Sequence, residues 1–474
     1  MTAWILDAVQ WGFLLYFAAI NGTYLCLNLL AFVSVSRFMQ RRALERLPRS
    51  FSGLETPVSL IVPAYNEAVT IVSSVRSLLQ LNYPQFEIVV VNDGSKDSTL
   101  AELARAFSLV LVPEAFRIRL RTKPVRAVYR STTHPELRVI DKENGGKADA
   151  LNAGINGARY PLFCALDADS ILQRDSLHRV ALPFLEDPTT VASGGVVRLA
   201  NGCEVSDGFI VRPGVPRHPL ALVQVVEYLR AFLFGRLGWS PLNAVLVISG
   251  AFGLFDKETV IVAGGYRTDT VGEDMDLVVR LHRMLRRDGR PYRIAFVPDP
   301  VCWTEAPEHW RVLRSQRIRW QRGLSESLAS NGDLLFSRWG GVPGWIAMPF
   351  AWIFEWASPL VEVAGYAFFG AGLLLGFASI EFAAAFLFMA VGLGMLLSVL
   401  ALLLDELSFQ TYPRAADLLL LFAAVAMENL GYRQVNAWWR LRGLLAWAAR
   451  REARWGEMTR TASWQRNAAA PDAR

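Results

Sequence analysis

The 474-residue sequence predicts an α/β domain with a mostly parallel sheet, inserted between membrane-spanning α-helices. Three observations carry that expectation. Hydrophobic residues reach 53 % and charged residues only 19 %, where a soluble domain carries about 25 % charge. The longest apolar runs lie at the two ends of the chain. Between them, β-rich runs alternate with helical stretches of roughly 10–15 residues, the pattern of a parallel sheet covered on both faces. The composition excludes a disordered chain and a purely soluble enzyme. Cys26, Cys164, Cys203 and Cys302 show neither zinc spacing nor a disulfide framework. The net charge of +6 is mild for an arginine-rich cytoplasmic face and is no argument for nucleic acid.

Residues 5–36 hold no Lys or Arg, and Asp7 is their one charge. About 20 apolar residues cross a bilayer, so residues 1–40 read as a single tilted anchor. Arg37, Arg41, Arg42, Arg46 and Arg49 follow it. The positive-inside rule then puts the amino terminus outside and the next domain in the cytoplasm. A cleaved signal peptide has the opposite charge order and a shorter apolar core.

Residues 54–331 read as one cytoplasmic domain. Strand 58–62 ends in Pro63-Ala-Tyr65-Asn-Glu67, helix 68–81 follows, and strand 87–91 ends in Asn92-Asp93-Gly-Ser95. Helix 97–107 comes next. Residues 117–130 form a basic insertion without an acid, expected as a solvated or lipid-facing loop in which only Tyr129 and Arg130 merit testing. Strand 137–140, a helix after Gly146, and strand 162–166 ending in Asp167-Ala-Asp169 complete the pattern. Such sheets bind ligands outside the carboxyl ends of their strands, so three polar strand ends on one rim predict a site. No GxGxxG or P-loop motif is present.

The membrane region covers residues 332–447. Residues 343–377 read as an aromatic-rich interfacial approach, with Trp345, Trp352 and Trp356 at headgroup level, followed by a span over 360–377. Residues 382–404 form the clearest span, after a short outer turn at Glu381. Gly372 and Gly376 have GxxxG spacing, which seats a close helix crossing or merely places glycines in a helix. Residues 418–427 are apolar for ten positions before Glu428, Asn429, Arg433 and Gln434. A mid-bilayer charge costs about 2.5–3.5 kcal/mol. These groups therefore face protein, a water-filled passage or the interface. Nine arginines from Arg433 onward oppose three acids, which favours a cytoplasmic basic tail (448–474). Three spans deliver that topology, and the 415–437 segment stays undecided.

The candidate chemistry lies in five places. Asp167 and Asp169, two apart on an extended chain, project to one side and suit a divalent cation shared with substrate phosphates; the bland alternative is a turn Asp beside a cap Asp. Asp93 is a turn residue or an acceptor for a nucleobase imide or ribose hydroxyl. Asn144-Gly-Gly-Lys147 opens a helix, and its N–H groups with the ammonium suit a diphosphate. Glu273, Asp274 and Asp276 complement a helix dipole, or Asp274 is a general base at the rim. Gln316, Arg319 and Trp320 share one helix face. Arg matches diphosphate oxygens and Trp offers a platform to a sugar ring; otherwise the helix rests on anionic lipid, with Arg311, Arg314, Arg317 and Arg322 on its flanks.

In this order and in one domain, the motifs resemble the membrane-embedded family 2 glycosyltransferases, the group of cellulose, hyaluronan, chitin and poly-N-acetylglucosamine synthases. The resemblance covers residues 54–323. It implies a GT-A, Rossmann-like nucleotide-sugar domain, a UDP-linked donor and Mg2+ or Mn2+. It assigns Pro63, Tyr65, Glu67, Asp93, Lys147 and Asp167 to the donor, with Asp93 on uracil, and Asp167 with Asp169 to the metal. Asp274 becomes the base beside Glu273, and Gln316, Arg319 and Trp320 line the acceptor and diphosphate site. Residues 249–255 are similar to the family's strand bordering the acceptor. Gly272 departs from the family's usual Thr or Ser, and neither a cyclic-dinucleotide receptor domain nor a cellulose-synthase gating loop is read. The implied function is inverting transfer to a growing polysaccharide, coupled to translocation across the cell membrane. Transfer to a lipid-linked acceptor and a non-catalytic assembly or receptor subunit are the rivals. Implied partners are the donor, a carbohydrate or lipid-linked acceptor, membrane lipids and accessory export proteins. The sugar, linkage and oligomeric state are not legible.

Overall fold

A computed structural model describes residues 2–44, 54–114, 116–206, 208–412 and 414–450. Arg46, Arg49 and the basic tail beyond residue 450 lie outside the described residues. The first helix, α1 (Thr2–Leu44), is a single run. At 1.5 Å per residue it extends about 65 Å, more than a hydrocarbon core requires.

Twelve strands are described. The first six are β1 (Val58–Ala64), β2 (Phe86–Asp93), β3 (Leu109–Leu111), β4 (Val125–Ser131), β5 (Leu137–Lys142) and β6 (Leu162–Leu166). The others are β7 (Ile171–Leu172), β8 (Thr190–Leu199), β9 (Glu204–Ser206), β10 (Phe209–Arg212), β11 (Phe252–Asp256) and β12 (Arg293–Thr304). Ten form one sheet, ordered β3-β4-β5-β2-β1-β6-β11-β8-β12-β7, and β9 pairs with β10. β5, β2, β1 and β6 run parallel. β11 reverses direction between β6 and β8, so the sheet is mixed where a mostly parallel one is expected. The parallel centre explains the unbroken Val/Ile runs: β2 is buried on both faces from Glu87 to Asp93, as strands covered by helices on each side are.

The helices on this sheet are α2 (Ile71–Leu78), α3 (Thr99–Phe107), α4 (Lys147–Gly157), α5 (Ser176–Glu186), α6 (Pro219–Leu229), α7 (Lys257–Val262), α8 (Glu273–Arg287) and α9 (Trp310–Ser330). α2 is shorter than the expected 68–81 because residues 67–70 form a turn, with Thr70 and Ile71 N–H donating to Glu67 O at 3.0 Å each. The basic insertion is no free loop. Part of it is β4, Arg130 pairs with Glu114 at 2.9 Å and Arg119 with Glu258 at 2.5 Å. β12 carries Pro298 and Pro300, which speak against a strand; the sheet absorbs them as register shifts around Val297 and Pro300.

Four helices are long and apolar enough to cross a membrane: Trp4–Gln40, Ser358–Leu375, Ile380–Phe409 and Ala415–Ala448. The first three cover the expected spans, and the fourth, by length and composition, covers the 415–437 segment left undecided. The fourth breaks at Leu430 and Gly431, whose φ is 121°. Its polar residues face protein. Glu428 pairs with Arg230 at 2.7 Å, and Arg433 reaches Glu362 at 3.4 Å. Its second half lies on α9, where Arg440 Nε donates to Gln321 Oε1 at 2.9 Å.

Two expectations are corrected here. Gly376 has a left-handed φ of 73° and caps its helix, so the Gly372–Gly376 spacing is not a crossing face. A Cβ on Gly372 would instead meet Ala378 of the returning turn at 2.8 Å. Trp345 is 54 % exposed, but Trp352 and Trp356 pack against a cluster containing Met275, Val279 and Leu328.

The domain is tied to the apolar helices that follow it by a fully buried pair, Arg198 of β8 with Asp405 at 2.5 Å. Arg198→Leu leaves Asp405 charged and unpaired, and is expected to lower stability by about 3–5 kcal/mol. Replacing both residues with leucine should recover most of the loss. Thermal unfolding of detergent-solubilised protein measures both effects.

Candidate active site

The ends of β1, β2, β5 and β6 share one rim because their register aligns Ala64 with Asn92 and Asp93 with Lys142. β11 begins on the same rim, since Phe252 pairs with Leu166. The chain before it, Ser249-Gly250-Ala251, therefore lies beside the chain after β6. Asp167 N–H donates to Ala251 O at 3.4 Å.

Lys147 is the first residue of α4, after Gly146 at a φ of 88°. Its Nζ lies 2.5 Å from Asp167 Oδ1 and 3.8 Å from Glu273 Oε1, and donates to Gly250 O at 3.4 Å. Burial acts to lower the pKa of this ammonium. Asp167, Glu273 and Asp274 outweigh it and hold the value above its ordinary range. Asp274 Oδ2 accepts from Gly250 N–H at 3.1 Å, and Oδ1 accepts from Met275 N–H at 2.8 Å. A Cβ at Gly250 would sit 3.0 Å from Lys147 Nζ and 3.5 Å from Asp274 Oδ2, so glycine gives both groups backbone access. Glu273 is buried, and burial pushes it up to about 7; Asp274 adds to the rise while Lys147 and Arg319 oppose it.

Asp167 and Asp169 lie in a turn between β6 and β7, with Ser170 N–H donating to Asp167 O at 3.0 Å, and not on an extended strand. They remain neighbours. Burial first, then both carboxylates, push the Cys302 thiol up. Among the described residues no cluster of three or more His, Cys, Asp or Glu forms a metal site. Two hard carboxylates still suit Mg2+ or Mn2+, which commonly complete their shells with substrate phosphates and water.

Asp93 departs from expectation. A carboxylate offers about four lone-pair positions, and here all are filled. Oδ1 accepts from Lys142 Nζ at 2.7 Å and Gly145 N–H at 3.0 Å. Oδ2 accepts from Gly146 N–H at 2.8 Å and Asn144 Nδ2 at 3.2 Å. The side chain is buried, so it clasps the Asn144-Gly-Gly loop and has no free position for a base or ribose. Lys142, fully buried, also pairs with Asp149 at 2.5 Å. Neither Lys142 nor Asp149 was among the expected site residues. Their signal was a lysine ending a β-run and an acid in the next helix's first turn.

The Pro63–Glu67 segment is tied to the loop after β2. Asn66, at a φ of 55°, donates from its N–H to Ser95 Oγ at 3.0 Å and accepts from Lys96 N–H at 2.9 Å. Glu67 N–H donates to Thr99 Oγ1 at 2.9 Å, and its carboxylate accepts from Thr70 Oγ1 at 2.7 Å. Pro63 ends its run half-buried and Tyr65 is 45 % exposed on the rim.

α9 is brought against α8 by two glycines: a Cβ on Gly272 would lie 2.8 Å from Gly323 Cα. That backbone contact leaves no room for a side chain at position 272. It places Arg319, half-buried, close enough to Glu273 to lower its pKa. Gln316 is buried, and its Oε1 has no hydrogen-bond partner among the described residues. Trp320 is 43 % exposed, with the Arg317 guanidinium 4.3 Å from its ring centre. Arg317 is buried against Glu227 at 2.7 Å, and Arg322 pairs with Glu326 at 2.7 Å. Neither serves the lipid-facing role expected of it, whereas Arg311 and Arg314 are exposed. Asp276 is buried against Arg280 at 2.7 Å, away from any proton-transfer role.

Comparison with known proteins follows this geometry. Residues 59–204 match the profile described as Glycosyl transferase family 2, and residues 162–403, just over half the chain, match Glycosyl transferase family group 2. The poly-beta-1,6-N-acetyl-D-glucosamine synthase of Staphylococcus aureus (strain COL) is 32 % identical over 274 residues, covering 57 % of this chain and 55 % of the relative. That of Staphylococcus epidermidis is 29 % identical over 272 residues, with the same coverage. The chain spans about half the length of the curated relatives it matches. A mannosyltransferase from Pyrobaculum calidifontis, solved with GDP-Man and Mn2+, superposes with a TM-score of 0.52 at 20 % identity, covering 89 % of this chain and 99 % of that one. The shared fold is GT-A.

The raised value of Glu273 has a measurable consequence. Its ordinary value is 4.5 and its folded value about 7, so the folded chain keeps a proton that the unfolded chain has released. The stability this gives is complete below about pH 4.5 and is lost as pH rises through 7. Glu273→Gln, which mimics the neutral acid, should match the parent near pH 4.5 and exceed it above pH 8 by on the order of 2 kcal/mol. Melting temperatures across that range provide the check.

Proposed function

The chain belongs to glycosyl transferase family group 2, and from that premise we propose an inverting transfer of a sugar from a UDP-linked donor to a growing polysaccharide. The observation that carries the reading is the meeting of Asp167, Lys147, Glu273 and Asp274 around Gly250 on the sheet rim. N-Acetylglucosamine is the first sugar to test, because the matched staphylococcal synthases are named for its polymer. The proposed layout is an anchor at 1–40, a cytoplasmic catalytic domain at 54–331, and membrane helices at 332–447 that lead the product outward. Four apolar helices, with Arg37 near the end of the first and Arg41 and Arg42 just after it, support this placement.

In the proposed reaction the acceptor hydroxyl oxygen bonds to C1 of the donor sugar as the C1–O bond to the diphosphate breaks. Its proton passes to Asp274, and the bonding pair departs on the nucleoside diphosphate. Attack opposite the leaving group inverts C1. Asp274 is held for this by two backbone N–H groups, those of Gly250 and Met275. Glu273, whose pKa is pushed up to about 7 by burial, carries less than a full negative charge beside Asp274 near neutral pH. Lys147 and Arg319 offer fixed positive charge to the departing diphosphate, and the clasp on Asp93 sets the Gly145-Gly146 backbone from which Lys147 projects. Asp167 and Asp169 would hold Mg2+ or Mn2+, which when bound neutralises charge on the diphosphate oxygens.

A panel of labelled nucleotide sugars incubated with membranes tests the class; no sugar transfer from any donor would overturn it. Asp274→Asn should reduce turnover by about 10²–10⁴-fold with donor affinity largely retained. Asp169→Ala should weaken donor binding in Mn2+ and much less in chelator. Equal affinities for variant and parent under both conditions would remove Asp169 from the metal.

A further inference from the structure

We propose that Tyr228 and Arg236 form an acceptor subsite, the Arg236 guanidinium donating to an oxygen of the acceptor carbohydrate whose ring lies along Trp320 and Tyr228. The inference rests on the glycosyl-transfer reading and adds two residues that lie outside every motif of the sequence.

A row of rings leads inward from the exposed Trp320. Tyr228 lies 6.4 Å from it and Phe232 a further 5.6 Å on, centre to centre. The Arg236 guanidinium stands 3.8 Å over the Phe232 ring. Its Nη1 is shut off from solvent and has no hydrogen-bond partner among the described residues. A guanidinium cannot shed its unpaired N–H groups, and a buried donor left unmade is costly. Burial lowers its pKa to about 10, and the neighbouring groups that oppose the fall are Asp274 first, then Tyr228 and Glu355. Among the described residues none of these is close enough to make an ion pair with it. A donor kept in this condition beside the proposed base is suited to a ligand atom.

Two cations share Asp274 as a neighbour. Lys147, proposed for the diphosphate, feels Asp167, Glu273 and Asp274, whereas Arg236 feels Asp274, Tyr228 and Glu355. Glu355, its further neighbour, lies in the helical segment that leads into Ser358–Leu375. An acceptor passing between the base and the membrane helices meets Arg236 and Tyr228. Sugar hydroxyl and ring oxygens offer lone pairs to the guanidinium, and the apolar face of a sugar suits the ring edge and face of Trp320 and Tyr228.

Full-length protein in detergent, UDP-N-acetylglucosamine as donor and an N-acetylglucosamine pentasaccharide as acceptor provide the test. Arg236→Gln should raise the acceptor KM by about tenfold or more, with the calorimetric Kd for UDP within about twofold of the parent. Tyr228→Ala should also raise the acceptor KM, and Tyr228→Phe much less. If Arg236→Gln does not fold, Arg236→Lys carries the test: it keeps the charge but loses the fork, and a several-fold rise in acceptor KM is expected. An unchanged acceptor KM in the folded arginine variant overturns the proposal. So does a loss of UDP affinity in step with activity, which places Arg236 on the diphosphate. A parent protein that transfers sugar from no nucleotide donor removes the glycosyl-transfer reading and this inference together. An active parent with an unmoved acceptor KM removes this inference alone.

Discussion

One ammonium balances the rim. Asp167, Glu273 and Asp274 come from two distant parts of the chain, and their mutual repulsion in a half-buried cleft is offset chiefly by Lys147. The lysine can do this because α4 starts at the rim and its first side chain projects across Gly250. Its position depends in turn on Asp93, whose four accepted hydrogen bonds set the Asn144-Gly-Gly turn. A buried Lys142 shared between Asp93 and Asp149 fixes that clasp. The chemistry at the strand ends is thus arranged by a second layer of charge beneath it, where low dielectric makes each paired interaction strong and each unpaired group costly.

The same logic joins the domain to the apolar helices. Arg198 with Asp405 and Arg230 with Glu428 are buried or largely buried pairs at this junction. Such pairs contribute little net stability, but breaking one is expensive, so they specify how the helices seat. α9 is the shared element. Gly323 brings it against the start of α8, and Ile318 with Gln321 face Gly443 on the last helix. The helix carrying Gln316, Arg319 and Trp320 is therefore held on one side by the start of α8 and on the other by the last apolar helix.

The central strands were legible because parallel strands buried on both faces read as unbroken apolar runs, as in Ile88–Val91 and Leu162–Leu166. The edges were not. β4 hid in a basic segment whose arginines find acids outside it, Glu114 just before it and Glu258 far away in sequence. β12 hid behind two prolines that a register shift accommodates. Arg317 looked like one more surface arginine because nothing local marks Glu227 as its partner. The 415–437 segment stayed undecided because Arg230 and Glu362, which pair with its charged residues, come from elsewhere in the chain.

By itself the sequence determined the α/β class, the apolar ends, and the chemical types gathered at the rim, since these follow from composition, periodicity and short motifs. Tertiary structure decided which carboxylate is free and which is spent. Asp93 and Asp274 look alike in sequence, but one has every lone pair taken by a buried clasp and the other has two backbone donors and an open side. The fate of a charged group is set by its neighbours in space and its access to water, and neither is written in the residues beside it along the chain.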